Sequence, residues 1–328
     1  MSEKRTALIF GIGGQDGAYL SKLLVEKGYT VHGTSRDAEM SSFAALEALV
    51  LRDRVTLHSA VPTDFRSVLQ IISKAEPDEI YNLAGQSSVG LSFEEPVETL
   101  HSISTGTLNM LESIRFLDRN IRFYNAGSSE CFGNTASRPA DETTAFHPRS
   151  PYAVAKAAAH WAIMNYRESY QLFACSGVLF NHESPLRPSR FVTRKIVDAA
   201  ARIAAGNEET LTLGNISVRR DWGWAPEYVE AMWRMLQLDT AEDFVIATGK
   251  TYSLEDFVAE AFAHFDLDWK DHVTLNPSLH RPSDIDDSRA NPDKAARLLD
   301  WEATLAMPDV VRRMADAEAR RLADSRHA

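Results

Sequence analysis

The sequence predicts an α/β fold: a Rossmann-type doubly wound parallel sheet with a smaller C-terminal α/β substrate-binding lobe. Three observations predict it. The first half of the 328-residue chain alternates short apolar runs with helical patterns, a glycine-rich turn follows the first run, and this rhythm changes near residue 180. Strands that alternate with helices are typical of βαβ units. We therefore expect a dinucleotide-binding domain over residues 1–180 and a substrate lobe over residues 181–328, with chain crossings between them allowed.

Apolar and β-branched runs mark the predicted strands, and residues at three- and four-residue spacing mark the predicted helices. The predicted strands are residues 7–10, 30–34, 55–58, 79–83, 121–126 and 173–179. The predicted helices are residues 19–26, 65–74, 105–116 and 151–170. The last of these begins with Pro151, which suits a first helical turn because its missing N–H has no partner there.

Composition and charge exclude several classes of protein. Hydrophobic residues make up 44% and charged residues 25% of the chain, which is ordinary for a globular protein. The net charge of −11 argues against a nucleic-acid or anionic-membrane partner. The N-terminus shows no signal peptide or membrane span. Cys131 and Cys175 form no disulfide framework, and no metal-ligand spacing is visible, so we expect no metal site and a reducing, cytoplasmic location.

The glycine-rich turn GIGGQDG predicts a dinucleotide site. Gly11, Gly14 and Gly17 are spaced three apart, with Gln15 and Asp16 between the last two. Glycines allow a tight turn and close approach of a pyrophosphate to the N-terminus of the next helix.

The residues that end the second predicted strand favour one form of the cofactor. Ser35 and Arg36 can hold a 2′-phosphate through charge-assisted hydrogen bonds, which favours NADP. Asp37 leaves NAD open as the alternative, because a carboxylate at this point binds ribose hydroxyls.

The stretch SPYAVAK places Tyr152 and Lys156 four residues apart at the start of a helix. On a helix they share one face, and a neighbouring ammonium favours the phenolate form of a tyrosine. Such a tyrosine is suited to general acid–base catalysis. Ser128, at the end of the preceding predicted strand, is a candidate partner.

With these residues in view, the chain resembles the extended short-chain dehydrogenase/reductase family, and within it the GDP-mannose 4,6-dehydratase branch. The resemblance spans residues 7 to 301. The stretches that carry it are GIGGQDGAYL, SSECFG, PRSPYAVAKAAAHW, LFNHESP, FVTRKI, RRDWG and EDFVIATG.

The resemblance implies a hydro-lyase mechanism. Tyr152, supported by Lys156, takes the proton of the sugar C4 hydroxyl while hydride passes to NADP⁺, and Ser128 hydrogen-bonds the C4 oxygen. Glu130 removes the C5 hydrogen and protonates the departing C6 hydroxyl, after which hydride returns to C6. The product is the 4-keto-6-deoxy sugar.

The resemblance also implies the binding residues and the assembly. In addition to the glycine turn, Ser35, Arg36, Tyr152 and Lys156, the cofactor residues are Leu83, Ala84, Gln86, His182 and Arg187. The residues expected to bind the GDP-sugar are Ser87, Asn181, Val192, Lys195, Arg220 and Arg281. The expected assembly is a homodimer through two long helices of each subunit, with a homotetramer as the alternative.

Two further functions stay open at this point. One is a C4 oxidoreductase or epimerase that acts on a related nucleotide sugar without using Glu130. The other is a non-catalytic NADP-binding sensor. Within the dehydratase interpretation the sugar is GDP-mannose or a close GDP-hexose or GDP-heptose.

Overall fold

The computed structural model describes residues 4–207 and 210–325, and within them seven strands form one parallel sheet. The strands of this sheet and of three smaller two-stranded sheets are, in chain order, β1 (Thr6–Phe10), β2 (Thr30–Ser35), β3 (Thr56–Ser59), β4 (Glu79–Asn82), β5 (Arg122–Ala126), β6 (Ala174–Leu179), β7 (Asn181–Glu183), β8 (Leu211–Leu213), β9 (Arg219–Arg220), β10 (Trp222–Trp224), β11 (Phe244–Ile246), β12 (Tyr252–Ser253) and β13 (Val273–Leu275). The sheet has the order β11-β6-β5-β4-β1-β2-β3, which confirms the predicted fold class.

The helices cover both faces of this sheet and build a second layer beyond it. They are α1 (Gln15–Glu26), α2 (Ala44–Ala48), α3 (Phe65–Ala75), α4 (Val89–Glu94), α5 (Pro96–Leu100), α6 (Gly106–Leu117), α7 (Pro151–Tyr170), α8 (Val192–Ala204), α9 (Ala225–Met235), α10 (Leu254–Ala263), α11 (Asp293–Leu299) and α12 (Met307–Ser325). A π-helical turn over His101–Thr105 joins α5 to α6. Every helix in the part of the chain that the structure describes is too short or too polar to cross a membrane.

The central strand β1 shows why the sheet is covered on both faces. Ala7, Leu8, Ile9 and Phe10 are all fully buried. Successive side chains of a strand point to opposite faces, so a wholly apolar strand requires packing on both. Ala7 and Ile9 pack in the cluster that includes residues of α1 and α9, whereas Leu8 and Phe10 pack in the cluster that includes residues of α3 and α6.

The chain returns to the sheet after residue 180. Strand β11 pairs in parallel with β6 and completes the sheet at its edge. The second half also forms a separate hydrophobic core between α8, α10 and α12, in which Ile196, Phe257 and Val310 are fully buried. The division into domains at residue 180 stays a prediction, and the structure shows that one strand of the sheet comes from the later segment.

The order of the sheet reverses between β1 and β4. Strands β2 and β3 lie on one side of this point, and β5, β6 and β11 lie on the other. Crossover connections then leave in opposite directions, and a crevice opens at the carboxyl ends of the two strands. The glycine-rich turn follows β1 directly, so the fold places it at this crevice.

Candidate active site

Glycine is required at two positions, one in the turn between β1 and α1 and one in the first turn of α1. Gly11 has φ of +85°, and a Cβ there would lie 2.8 Å from the Leu83 carbonyl oxygen. A Cβ on Gly17 would lie 2.5 Å from the Gly11 carbonyl oxygen. Gly14 precedes α1 and offers no side-chain cap to its first N–H groups. These N–H groups carry the positive end of the helix dipole and suit an anion such as a pyrophosphate.

A cavity of about 960 Å³ opens over this turn. Its size is at the upper end of the range for small-molecule sites, which suits a dinucleotide. The structure brings most of the predicted cofactor residues to its wall, together with one predicted substrate residue. These are Gly11, Gly14, Gln15, Asp16, Gly17, Ser35, Arg36, Leu83, Ala84, Gln86, Ser87 and Arg187. The predicted catalytic residues and His182 lie outside this lining.

Two arginines and a phenylalanine from the segment before α8 form part of the same wall. Arg187 lies over the Phe191 ring at 3.7 Å, and Arg190 lies over it at 5.0 Å. Arg190 also donates to the Ser87 hydroxyl at 3.2 Å. The sequence assigned no site role to Arg190 or to Phe191, although Phe191 opens the FVTRKI stretch, because an arginine beside a phenylalanine carries no spacing that indicates a site.

Ser128, Tyr152 and Lys156 are brought together at the carboxyl end of β5. Ser150 caps α7 through the Ala153 N–H and so fixes the start of the helix that carries Tyr152 and Lys156. The Ser128 hydroxyl lies close enough to Tyr152 to lower the pKa of its phenol. Lys156 Nζ donates to the Ala126 carbonyl oxygen at 2.7 Å and lies 5.8 Å from the centre of the Tyr152 ring.

Burial sets the protonation of these groups. It raises the pKa of Tyr152, and the Ser128 hydroxyl opposes that shift. It lowers the pKa of Lys156 to about 8. In the protein without ligands, Tyr152 is therefore a neutral phenol at neutral pH, and Lys156 is close to its titration point. The Lys156 ammonium donates its hydrogen bond to the Ala126 carbonyl oxygen. The residue spacing alone predicted that the ammonium lies near the Tyr152 phenol.

Glu130 lies in the 3₁₀ turn Ser129–Phe132, which follows Ser128 directly. The Ser128 Oγ accepts from the Glu130 N–H at 3.3 Å and so holds the turn against β5. Burial raises the pKa of the Glu130 carboxyl group, while the charges of Arg220 and Arg281 lower it and that of Asp284 raises it. The net shift is upward, which makes this carboxyl group a stronger proton acceptor than an ordinary glutamate.

Asp16 and His182 form an ion pair at the base of the glycine turn, in which His182 is buried and Asp16 is partly exposed to the cavity. His182 Nε2 lies 2.9 Å from Asp16 Oδ2, and Nδ1 lies 2.7 Å from the Phe180 carbonyl oxygen. Both partners only accept hydrogen bonds, so both ring nitrogens carry protons. Burial lowers the pKa of His182, but the Asp16 carboxylate outweighs it and the net shift is upward. His182 thus contacts a cofactor candidate, Asp16.

The predicted substrate residues divide into two sets. The first set is Arg220 and Arg281, whose charges lower the pKa of the Glu130 carboxyl group. The second set lies on other elements. Lys195 donates to the Thr212 carbonyl oxygen at 3.0 Å. Asn181 begins β7, and Val192 begins α8. Within the described ranges, no group of three or more His, Cys, Asp or Glu is placed to hold a metal ion.

The parallel sheet, the glycine turn at its switch point and the Ser–Tyr–Lys cluster at the end of β5 define a protein of the extended short-chain dehydrogenase/reductase class. Solved structures agree on this fold. UDP-glucose 4-epimerase from Thermus thermophilus, in complex with NAD, gives a TM-score of 0.84 at 21% identity, covering 95% of this chain and 98% of that one. RMD from Pseudomonas aeruginosa, complexed with NADPH, gives 0.81 at 20%, covering 97% and 100%.

The sequence comparisons are more specific. The family model described as GDP-mannose 4,6 dehydratase matches residues 8–314. GDP-mannose 4,6 dehydratase 1 from Arabidopsis thaliana is 44% identical over 325 residues, which is 96% of this chain and 90% of that protein. The chain belongs to the GDP-mannose 4,6-dehydratase family, and its class of reaction is that of a hydro-lyase.

Proposed function

We propose that the chain converts GDP-mannose to the 4-keto-6-deoxy sugar nucleotide by oxidation at C4, loss of water across C5 and C6, and reduction at C6. One observation supports the proposal independently of family membership. A carboxylate, Glu130, lies in the turn directly after Ser128, and its charge acts on Tyr152. An oxidoreductase or epimerase needs the tyrosine and the serine, but it has no step that requires this second acid–base group.

In this proposal each side chain moves or holds one proton. Tyr152 receives the proton of the C4 hydroxyl, and the Ser128 hydroxyl hydrogen-bonds the same oxygen. Lys156, anchored on the Ala126 carbonyl oxygen, supplies positive charge near the phenol as it ionises. Glu130 removes the C5 proton, which the neighbouring ketone makes acidic, and then protonates the C6 hydroxyl as it leaves.

We infer that the cavity over the glycine turn holds a nicotinamide cofactor, and that this cofactor is NADP rather than NAD. The open first turn of α1 suits a pyrophosphate, and the fold relatives described above were solved with NAD or NADPH. Arg36 lines the cavity, where its guanidinium suits a 2′-phosphate. When bound, such a cofactor supplies reversible hydride transfer. Tyr152, Lys156, His182 and Arg187 are also proposed to bind this cofactor.

The proposed substrate residues include two cations, Arg220 and Arg281, whose charges act on Glu130. Arginine forks suit the oxygens of a diphosphate, and an acidic protein requires such local cations to bind an anion. The set consists of Ser87, Asn181, Val192, Lys195, Arg220 and Arg281.

The proposed function is tested by incubating the purified chain with GDP-mannose and measuring the mass of the sugar nucleotide. Loss of one water is the expected result. A loss of two hydrogens, or an unchanged mass with inversion at C4, would identify an oxidoreductase or an epimerase instead. No turnover of GDP-mannose or of a GDP-heptose would identify a binding protein.

We also propose a homodimer, with a homotetramer as the alternative, and a cytoplasmic location. The exposed apolar side chains Leu108 on α6 and Trp161 on α7 support the dimer. Cys131 and Cys175 are free and buried, as thiols of a protein from a reducing compartment are.

A further inference from the structure

Asp284 joins the two arginines beside Glu130, although no sequence pattern marked it. Its Oδ1 accepts from Arg220 Nη2 at 3.1 Å and lies 3.6 Å from Arg281 Nη1. The Ile285 N–H donates to the same oxygen at 2.9 Å and fixes the carboxylate in place. One carboxylate oxygen therefore serves both cations.

The two arginines are held with unequal strength. The Arg220 side chain is 8% exposed, and its Nη1 donates to the carbonyl oxygens of Arg219 and Ile285. The Arg281 side chain is 37% exposed, and its contact with Asp284 is longer than a hydrogen bond. Across residues 4–207 and 210–325 no hydrogen bond from the Arg281 guanidinium is present, so Arg281 can turn toward a ligand at little cost.

Arg220 also keeps donors for a ligand. A guanidinium has five N–H donors, and the three contacts above use both donors of Nη1 and one of Nη2. Its Nε–H and second Nη2–H have no acceptor in the described part of the chain. Burying a cation without an opposite charge is costly, which explains why the protein places a carboxylate here before any ligand arrives.

We propose that Asp284 is the internal counter-ion of Arg220 and Arg281, and that the diphosphate of the substrate replaces it at Arg281 on binding. The inference rests on the proposed function, since it takes the ligand to be a GDP-sugar. Asp284 is a positioning residue in this scheme: it keeps Arg220 in place and leaves the substrate to be bound by the arginines. The carboxylate then opposes the incoming anion through like charge.

The matched variants are Asp284→Asn, which keeps an oxygen acceptor and removes the charge, and Asp286→Asn in the same loop. Asp286 contacts Asn134 at 3.4 Å and neither of the two arginines. Titration of the full chain with GDP in a calorimeter gives the dissociation constant. We expect Asp284→Asn to bind GDP about three- to tenfold more tightly than the wild type, since one like charge beside the diphosphate is removed. Asp286→Asn should match the wild type.

A structural role alone would weaken binding or leave it unchanged, so equal or weaker binding of GDP by Asp284→Asn overturns the inference. The KM for GDP-mannose should fall with the dissociation constant. A crystal structure of the wild type with GDP is a second test that does not depend on the variant folding: an intact Arg281–Asp284 pair in that complex overturns the inference. Failure of the wild type to bind GDP overturns the proposed function together with it.

Discussion

Glu130 is the residue on which the proposed dehydration depends. Burial raises the pKa of its carboxyl group, against Arg220 and Arg281, and so prepares it to move protons. We predict that Glu130→Gln lowers the rate of water loss from GDP-mannose by about 100-fold or more, because a positioned acid–base group contributes that much. Mass spectrometry of the product gives the rate. Glu76→Gln, at an exposed carboxylate paired with Arg119, is the control, and dehydration by Glu130→Gln at the wild-type rate would refute the assignment.

Arg36 is the residue proposed to select NADP over NAD. It is exposed and lines the cavity beyond Ser35. We predict that Arg36→Ala weakens binding of NADP by about 10- to 100-fold and of NAD by less than about twofold, because it removes a charge-assisted contact that only a 2′-phosphate makes. Calorimetry on protein stripped of cofactor measures both. Equal weakening for NADP and NAD would show that Arg36 does not contact the 2′-phosphate.

Residue spacing predicted some contacts of the site and missed others. The four-residue separation of Tyr152 and Lys156 places them on one helical face in the sequence and in the structure. Asp284 and Arg220 are 64 positions apart, and their contact depends on how a loop passes β9. Periodicity carries no information about such a contact, so the sequence predicted the arginine and not its carboxylate.

At the scale of elements, the Asp16–His182 pair joins the start of α1 to β7. Burial disfavours the charged form of both side chains, but the attraction between the two charges outweighs it. The pKa of Asp16 is therefore lowered and that of His182 is raised. His182 therefore stabilises the fold fully below its usual pKa of 6.5, and this contribution is lost as pH rises through the raised value. The contribution of Asp16 is present above its usual 3.8 and is lost as pH falls through the lowered value.

We predict that Asp16→Asn lowers the free energy of unfolding by about 2 kcal/mol near pH 6, because a hydrogen bond between charged groups contributes about that much and the variant removes the charge of one partner. The difference from the wild type should shrink as the pH rises above the titration of His182. Urea denaturation of the cofactor-free protein between pH 5 and 9 measures it, with the exposed Asp53→Asn as the control. A difference that does not change over this range would exclude the charged pair.

The pattern of apolar runs predicted the strands up to β6 well, but it missed the short helices α2, α4 and α5. Strands β1 to β6 coincide with the predicted runs to within one residue at each end. Helix α1 starts at Gln15, four residues before the predicted start, because the turn leads into the helix directly after Gly14. Strand β11 was not predicted, because Phe244–Ile246 is only three residues long and is too short to show the two-residue periodicity of a strand.

At the scale of the molecule, tertiary contacts join the central sheet to the later segment, in addition to the chain itself near residue 180. Helix α9 packs on α1, and β11 completes the edge of the sheet. Segments from residues 181–328 therefore complete the predicted dinucleotide-binding domain of residues 1–180. The Asp16–His182 pair crosses the same division. The change of rhythm in the sequence predicted a boundary, whereas these crossings depend on tertiary packing and leave no local pattern.

The surface formed by α6 and α7 gives the last prediction, which concerns the assembly. Leu108 of α6 is 43% exposed, and Val154 and Trp161 of α7 are 45% and 57% exposed. Val154 and Trp161 are two helical turns apart, so they lie on one face. Exposed apolar side chains on neighbouring helices are typical of protein interfaces, and two helices from each subunit can pair as a four-helix bundle.

We predict that the wild type is a dimer by light scattering and that Leu108→Glu or Trp161→Glu yields a folded monomer, because a carboxylate cannot be buried unpaired in an apolar interface. Leu275→Glu, at a side chain that is 56% exposed on β13, is the control and should remain dimeric. Circular dichroism verifies that each variant is folded. If both α6 and α7 variants keep the mass of the wild-type assembly, the subunits pair through another surface, and the exposed apolar residues of these helices need a different partner.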